Sequence, residues 1–95
     1  MNRRGHKGKV DRNQGEIVAA LRKMGWLVRS TASVGDGFPD LVIAKNSRIV
    51  LVEVKDGPKN TRTADEKDTQ IDFAFAGVEI LLVACLADLE ELEAR

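Results

Sequence analysis

The 95-residue chain has few of the residues that stabilise small domains by cross-linking. It contains one cysteine, Cys85, and one histidine, His6, so no internal disulfide can form and no zinc site can be built from several cysteines. This cysteine usage is typical of a reducing, intracellular compartment. A chain of this length is expected to form one compact domain around a single modest core.

Aromatic residues and long apolar runs are also scarce. The four aromatic residues are too few for the stacking platforms of proteins that bind single-stranded nucleic acid. No apolar run approaches the ~18 residues needed to cross a bilayer, and the polar N-terminus lacks the apolar stretch of a signal peptide. We therefore expect an intracellular, cytoplasmic protein with no membrane contact.

The net charge of the chain is zero, but the basic and acidic residues are unevenly distributed along the sequence. The 15 basic residues balance the 15 acidic residues, whereas residues 1–29 carry eight bases against two acids and the last eight residues are mainly acidic. A basic segment of this kind binds phosphate or serves only as a solvated tail, and charge alone does not decide between them. We expect residues 1–9 to form a flexible basic arm and residues 10–95 to form one domain. The candidate DNA-binding residues are Arg3, Arg4, Lys7, Lys9 and Arg12.

Apolar periodicity predicts the element order αβββαβα. The second helix begins at a capping box, Thr63-Ala64-Asp65-Glu66, and ends at Gly77. A stripe of leucines marks the final acidic helix. The predicted elements are a helix over 11–24, strands over 26–29, 40–44 and 49–54, a helix over 63–77, a strand over 79–84, and a final helix bearing Leu86, Leu89 and Leu92.

The two central strands make a register prediction. If Asn46-Ser47 forms a two-residue hairpin turn, Asp40 lies directly opposite Glu53 on one face of the sheet. Lys55 projects on that same face because it lies two residues beyond Glu53. Two acids and an amine therefore converge at one end of the hairpin.

Two interpretations of this cluster stay open on the residues alone. One is a solvated salt cluster at a strand end. The other is a metal site, because two neighbouring carboxylates, with the remaining positions left to water and phosphate, suit Mg²⁺ or Mn²⁺. A lysine beside such a metal orients the attacking water and offsets charge in the transition state.

The motifs over residues 11–84 resemble those of a known nuclease family. Gly37-Phe38-Pro39-Asp40 followed thirteen residues later by Glu53-Val54-Lys55 resembles the PD-(D/E)xK nuclease superfamily. Together with Glu16 and Gln70 on the flanking helices, the pattern is similar to its virus-type replication-repair nuclease (VRR-NUC) branch, in the stand-alone phage or bacterial form. The resemblance implies a restriction-endonuclease-like αβββαβ core, an α/β fold in which helices flank a mixed central sheet.

The resemblance also implies roles for individual residues. Asp40, Glu53 and the carbonyl oxygen of Val54 would bind the metal, and Glu16 would bind it directly or through water. Lys55 would be the catalytic lysine, and Gln70 would support the site or contact substrate.

The implied activity is metal-dependent hydrolysis of phosphodiester bonds in branched DNA. We expect a Holliday junction resolvase in DNA repair that acts as a homodimer, since symmetric incision needs two sites. The leucine stripe of the last helix or an exchanged element would form the dimer interface. The alternatives are a flap, single-strand or restriction-type nuclease of the same fold, and a non-catalytic DNA-binding module.

Overall fold

The predicted element order is confirmed by the structure, a computed structural model. It describes the backbone of residues 4–55 and 64–93 and, within these ranges, the side chains from residue 13 onward. A short 3₁₀ turn precedes the final helix. The elements are α1 (Arg4–Lys23), β1 (Leu27–Ser30), β2 (Leu41–Lys45), β3 (Arg48–Val54), α2 (Ala64–Phe75), β4 (Glu79–Val83), the 3₁₀ turn (Leu86–Leu89) and α3 (Glu90–Glu93).

The four strands form one mixed sheet in the order β1-β2-β3-β4. The β1–β2 and β2–β3 pairs are antiparallel, whereas β3 and β4 are parallel. Parallel neighbours require a crossover connection, and α2 lies within it. The predicted α/β fold class, with helices flanking a mixed sheet, is therefore confirmed.

The hairpin register agrees with the sequence prediction. Ala44 pairs with Ile49, and the ladder runs to the pair Leu41–Val52. Asn46 and Ser47 have φ values of 51° and 68°, the left-handed conformation that a two-residue type I′ turn requires at both positions. The next position beyond the ladder places Asp40 opposite Glu53.

The two faces of the sheet have different surroundings. The face that we call the core face packs against α1, where Ile17 and Leu21 are fully buried, and against Leu89 and Leu92 near the C-terminus. Its strand residues are Val28, Leu41, Ile43, Val50, Val52, Val54, Leu81 and Val83. Because side chains alternate along a strand, Asp40, Glu53 and Lys55 belong to the opposite face, which we call the open face.

Helix α1 is longer than predicted. It begins at Arg4, seven residues before the expected start at Asp11, so residues 4–9 of the predicted flexible arm are helical. The apolar periodicity that guided the prediction ends near Asp11, but Lys and Arg are good helix formers, and each glycine costs only about 1 kcal/mol. The helix anchored by Ile17 therefore extends into the basic segment. The division into a DNA-binding arm and a nuclease domain stays a prediction.

None of the helices in the described ranges combines the length and apolar character needed to span a membrane.

Candidate active site

Asp40 and Glu53 meet where the β2–β3 hairpin opens at one end of the sheet. Asp40 precedes the first residue of β2, and its carboxylate Oδ2 accepts a hydrogen bond of 2.8 Å from the Val54 amide. This bond ties the residue before β2 to the end of β3 and orients the Asp40 carboxylate beside the Glu53–Val54 peptide. The Val54 carbonyl, a predicted metal ligand, belongs to the same strand end.

The environment of Asp40 disfavours negative charge. Glu53 is buried, with 7% of its surface exposed. Burial raises the pKa of the Asp40 carboxyl above its ordinary value, the hydrogen bond from Val54 opposes this rise, and the negative charge of Glu66 raises the pKa further. Because burial and a like charge both destabilise the anion, a bound cation would be strongly favoured here.

The donor set fits a hard divalent cation that retains much of its water. Within residues 13–55 and 64–93, no group of three or more His, Cys, Asp or Glu side chains is close enough to bind a metal together. Mg²⁺ commonly uses only one or two carboxylates and fills its other positions with water and phosphate. Asp40, Glu53 and the Val54 carbonyl satisfy that requirement. Glu16 was predicted to bind the metal directly or through water. Because Glu16 is exposed on α1, we favour binding through water.

The backbone of Lys55 is held from two sides. Its amide donates to the Val83 carbonyl at 2.7 Å, and its carbonyl accepts a hydrogen bond of 3.1 Å from Asn13 Nδ2. Asn13 lies three residues before Glu16 on α1, so the two share one side of the helix. Sequence reasoning overlooked Asn13, because a polar residue near a helix start has no signature of a long-range contact.

The loop before β2 fits closely against α2. Gly37 has a φ of 76°, and a Cβ atom built on it would lie 2.5 Å from the Asp65 carbonyl carbon. The Phe38 and Phe73 rings pack edge to face with centroids 5.4 Å apart. The glycine of the Gly-Phe-Pro-Asp motif therefore allows the first turn of α2 to approach the backbone just ahead of Asp40.

Thr31 fixes the path into β2 from the other side. Its hydroxyl donates to the Pro39 carbonyl at 2.6 Å, and its amide donates to the Asp40 carbonyl at 2.8 Å. Pro39 itself is fully buried. The backbone of Asp40 is thus held by Thr31, which follows β1 directly, by the buried proline and by the loop packed on α2.

Gln70 lies on the same side of the sheet as the carboxylates. It is buried on α2 and lines a cavity of about 300 Å³ with Leu82 and Ile80. Leu82 is the cross-strand partner of Glu53. Gln70 is therefore placed next to the Glu53 row, as a supporting residue would be, and its role stays a prediction.

Glu66 is a further acidic residue at the site that sequence reasoning missed. It is half-buried in the first turn of α2, and its charge acts on Asp40. The sequence pattern identifies it only as the last residue of a capping box. Its proximity to Asp40 follows from the close contact at Gly37, for which the sequence contains no separate signal.

Several predicted residues lie beyond the described part of the chain. Thr63, the expected cap of α2, and Arg3 are outside it. The side chains of four other candidate DNA-binding residues are also outside it, so their contacts with DNA stay predictions. These four are Arg4, Lys7, Lys9 and Arg12.

Comparison with known proteins identifies a matching family and a solved structure of the same fold. The family model described as "Archaeal holliday junction resolvase (hjc)" matches residues 1–83. A solved structure titled "VRR_NUC domain" superimposes with a TM-score of 0.76 over 92% of this chain and 96% of that chain, at 23% sequence identity. At this identity the likeness shows the fold, and it confirms the predicted VRR-NUC fold class. A search of curated proteins gives no match.

Proposed function

The chain belongs to the archaeal Holliday junction resolvase family, and on this basis we propose that it is a Mg²⁺- or Mn²⁺-dependent endodeoxyribonuclease that resolves four-way DNA junctions. Family and fold together indicate a structure-specific nuclease, which is a hydrolytic enzyme. The metal, the junction substrate and the homodimer are parts of the proposal, as is a role in intracellular DNA repair. The stand-alone phage or bacterial type also stays a prediction.

The hydrogen bond from Val54 to Asp40 is the observation that carries the proposal. It brings a half-buried carboxylate beside buried Glu53 where two strands end, and Lys55 follows on the same face. The alternative interpretation, a solvated salt cluster at a strand end, requires neither buried carboxylates nor a carboxylate held by a backbone amide. A site that binds a cation and a phosphate needs both.

Each residue then has a specific task in phosphodiester hydrolysis. Asp40, Glu53 and the Val54 carbonyl would hold the metal, which when bound supplies positive charge to the scissile phosphate. Lys55 orients the attacking water and offsets charge that develops on the phosphate oxygens. Glu16 supports the water shell from α1.

Gln70 and the basic N-terminal segment complete the proposed site. Gln70 supports the Glu53 side of the cleft from α2. The basic residues of the first helix bind DNA phosphates without reading sequence, because lysine and arginine contacts to the backbone position a protein and carry little sequence information.

The proposal is tested by cleavage of four labelled substrates: a four-way junction, a flap, a splayed arm and plain duplex. With Mg²⁺ or Mn²⁺ we expect paired, symmetric incisions in the junction and little cutting of duplex. Asp40→Asn is the matched control, since it keeps the shape of the side chain and removes its charge. Preferential flap cutting would establish the alternative nuclease, and junction binding without cleavage at any metal concentration would establish a non-catalytic module.

A further inference from the structure

The loop that joins β1 to β2 presents an exposed apolar residue next to the proposed metal site. Val34 is 54% exposed. Its amide donates a hydrogen bond of 3.1 Å to the Thr31 carbonyl, and the Thr31 amide donates to the Asp40 carbonyl at 2.8 Å. Two consecutive hydrogen bonds therefore link the backbone of Val34 to the residue that carries a proposed metal ligand. Exposure alone would assign no role, because single exposed apolar residues are common on protein surfaces.

The backbone around Val34 is held in two consecutive turns. The hydrogen bond between Val34 and Thr31 closes the first turn. The second turn is closed by a hydrogen bond of 3.0 Å from the Phe38 amide to the Gly35 carbonyl. The side chain of Val34 therefore projects from a backbone of defined position, at the tip of the loop.

The second half of this loop lies against α2, on the open face of the sheet. The Asp36 carbonyl accepts a hydrogen bond of 3.1 Å from the Thr69 hydroxyl on α2, and Gly37 contacts the first turn of the same helix. The carboxylate of Asp40 also belongs to the open face. Val34 therefore borders the cleft into which the proposed metal ligands project.

The tip of the loop carries no positive charge. Residues 31–39 contain no lysine or arginine, and residues 32–35 are Ala-Ser-Val-Gly, followed by the acidic Asp36. A surface without a cation gains little from DNA phosphates, which are bound mainly by lysine and arginine. The part of DNA that fits an apolar side chain is the flat face of a base. The chemistry of the tip therefore indicates contact with bases and not with the DNA backbone.

Base faces are accessible at a branch point and hidden in a duplex. In a continuous duplex each base is stacked on its neighbour, so an inserted side chain must first unstack a base step. Apolar side chains of DNA-bending proteins are inserted in this way. Stacking is interrupted where the arms of a four-way junction meet, so the same insertion costs less there. An apolar wedge consequently favours branched DNA over duplex by the difference in unstacking cost.

A valine suits this use where the backbone is held in place. Its β-branched side chain has few rotamers, so it loses little conformational entropy on insertion. Its short reach requires a close approach of the loop to the bases. The small neighbours Ala32, Ser33 and Gly35 permit that approach.

We propose that Val34 is a wedge that inserts beside an unstacked base at the branch point and selects branched DNA for the site at Asp40 and Glu53. The loop then places phosphates near the branch point close to these carboxylates, which lie at the same end of the sheet. The inference deepens the proposed function and rests on it for the class of substrate. It is tested by binding without metal, so it can fail independently of cleavage.

The experiment measures the fluorescence of 2-aminopurine that replaces one adenine at the branch point of a four-way junction. This base analogue becomes brighter when it is unstacked. In EDTA, where a metal-dependent nuclease does not cut, saturating wild-type protein should raise the fluorescence. The signal should stay unchanged when the analogue lies within an arm. The same titration gives the dissociation constant for the junction, and competition with plain duplex gives the specificity.

Substitutions of Val34 test the role of its side chain. Val34→Ser should bind the junction about 10-fold more weakly, because burial of a valine side chain corresponds to roughly this factor or more in an equilibrium constant. It should lose the rise in fluorescence and keep the wild-type affinity for duplex. Val34→Leu keeps an apolar side chain and should keep the rise. Equal melting temperatures of variants and wild type check that the fold is intact.

Leu86→Ser is the matched control, and it should behave as wild type in every titration. Leu86 is 51% exposed and lines a cavity with Met24 of α1, on the core-face side of the sheet, away from the loop. The other two leucines of the predicted stripe, Leu89 and Leu92, are each 3% exposed and belong to the core. The predicted use of this stripe as a dimer interface is therefore wrong.

The possible outcomes separate the wedge from the nuclease. Binding of the junction by wild-type protein without a rise in fluorescence would overturn the wedge, and so would a full rise with Val34→Ser. Equal weakening of junction and duplex binding in Val34→Ser would overturn the role in selection. A rise that depends on Val34, without cleavage of any DNA in Mg²⁺ or Mn²⁺, would support the wedge and overturn the nuclease. Junction cleavage at equal kcat/KM by wild type and Val34→Ser would do the reverse.

Discussion

Asn13 on helix α1 is hydrogen-bonded to the carbonyl oxygen of Lys55, 42 residues away, at 3.1 Å. This bond connects the helix that carries Glu16 to the strand end that carries Lys55, the proposed catalytic lysine. It therefore joins two parts of the proposed active site that are distant in the sequence.

Asn13→Ala should slow cleavage more than it lowers stability. Loss of one half-buried hydrogen bond costs about 1 kcal/mol, whereas an altered position of α1 and of the Lys55 backbone disturbs catalytic geometry. We expect a fall in kcat of about 10-fold or more with modest change in the melting temperature. The neighbouring substitution Gln14→Ala is the control and should leave both quantities near wild type. Equal activity of the two variants would contradict a positioning role for Asn13.

Asp40→Asn should stabilise the metal-free protein at neutral pH. The pKa of Asp40 is raised in the folded state above its ordinary value of 3.8, so the folded protein binds more protons than the unfolded chain between the two pKa values. Stability contributed by Asp40 is consequently lost as the pH rises through that window. Thermal unfolding in EDTA should show a higher melting temperature for Asp40→Asn at pH 7 and a smaller difference near pH 3.

Added Mg²⁺ should stabilise the wild-type protein and should have little effect on Asp40→Asn, because a ligand that binds only the folded state raises the free energy of unfolding. A stabilised Asp40→Asn that still responds fully to Mg²⁺ would place the metal elsewhere.

Lys55→Ala should lower the rate of cleavage without lowering the affinity for the metal. The amine acts on water or on developing charge, so we expect kcat to fall by about 10²–10³-fold while the affinity for Mn²⁺ stays close to wild type. Calorimetric titration with Mn²⁺ provides the second measurement. A loss of affinity as large as that of Asp40→Asn would make Lys55 a structural counter-ion and not a catalytic residue.

Gly37→Ala should destabilise the fold more than Gly35→Ala. Both glycines have positive φ, 76° and 74°, so both variants carry a similar left-handed strain of about 1–2 kcal/mol. Only at Gly37 does the added methyl group meet backbone, at 2.5 Å from Asp65, whereas nothing lies within 4 Å at Gly35. The difference between the two free energies of unfolding, measured with urea, isolates the contact with α2. We expect it to be about 1–3 kcal/mol.

Deletion of residues 1–9 should weaken DNA binding equally across sequences. It removes Arg3, Arg4, Lys7 and Lys9, so the slope of log affinity against log salt should become shallower by at most about 3.6 on duplex DNA. An unchanged slope would identify the segment as a solvated tail. Because residues 4–9 belong to α1, circular dichroism should also show a small loss of helix.

The sequence by itself determined the order of the elements and the register of the central hairpin. The apolar runs of β2 and β3 are interrupted only by a polar turn, and a two-residue turn permits one pairing that keeps apolar side chains on matched faces. From that pairing the neighbourhood of Asp40 and Glu53 followed directly. The motif around Pro39 and Lys55 also predicts the nuclease fold.

Only the tertiary structure decided what surrounds this pair. Asn13 and Glu66 reach the site from helices that are distant in sequence, and no periodicity predicts which polar residue of a helix faces a remote strand end. The use of Leu89 and Leu92 was undecided for the same reason. A leucine stripe looks alike whether it closes its own core or binds a partner, and the position of the final helix beneath the sheet settles which of the two applies.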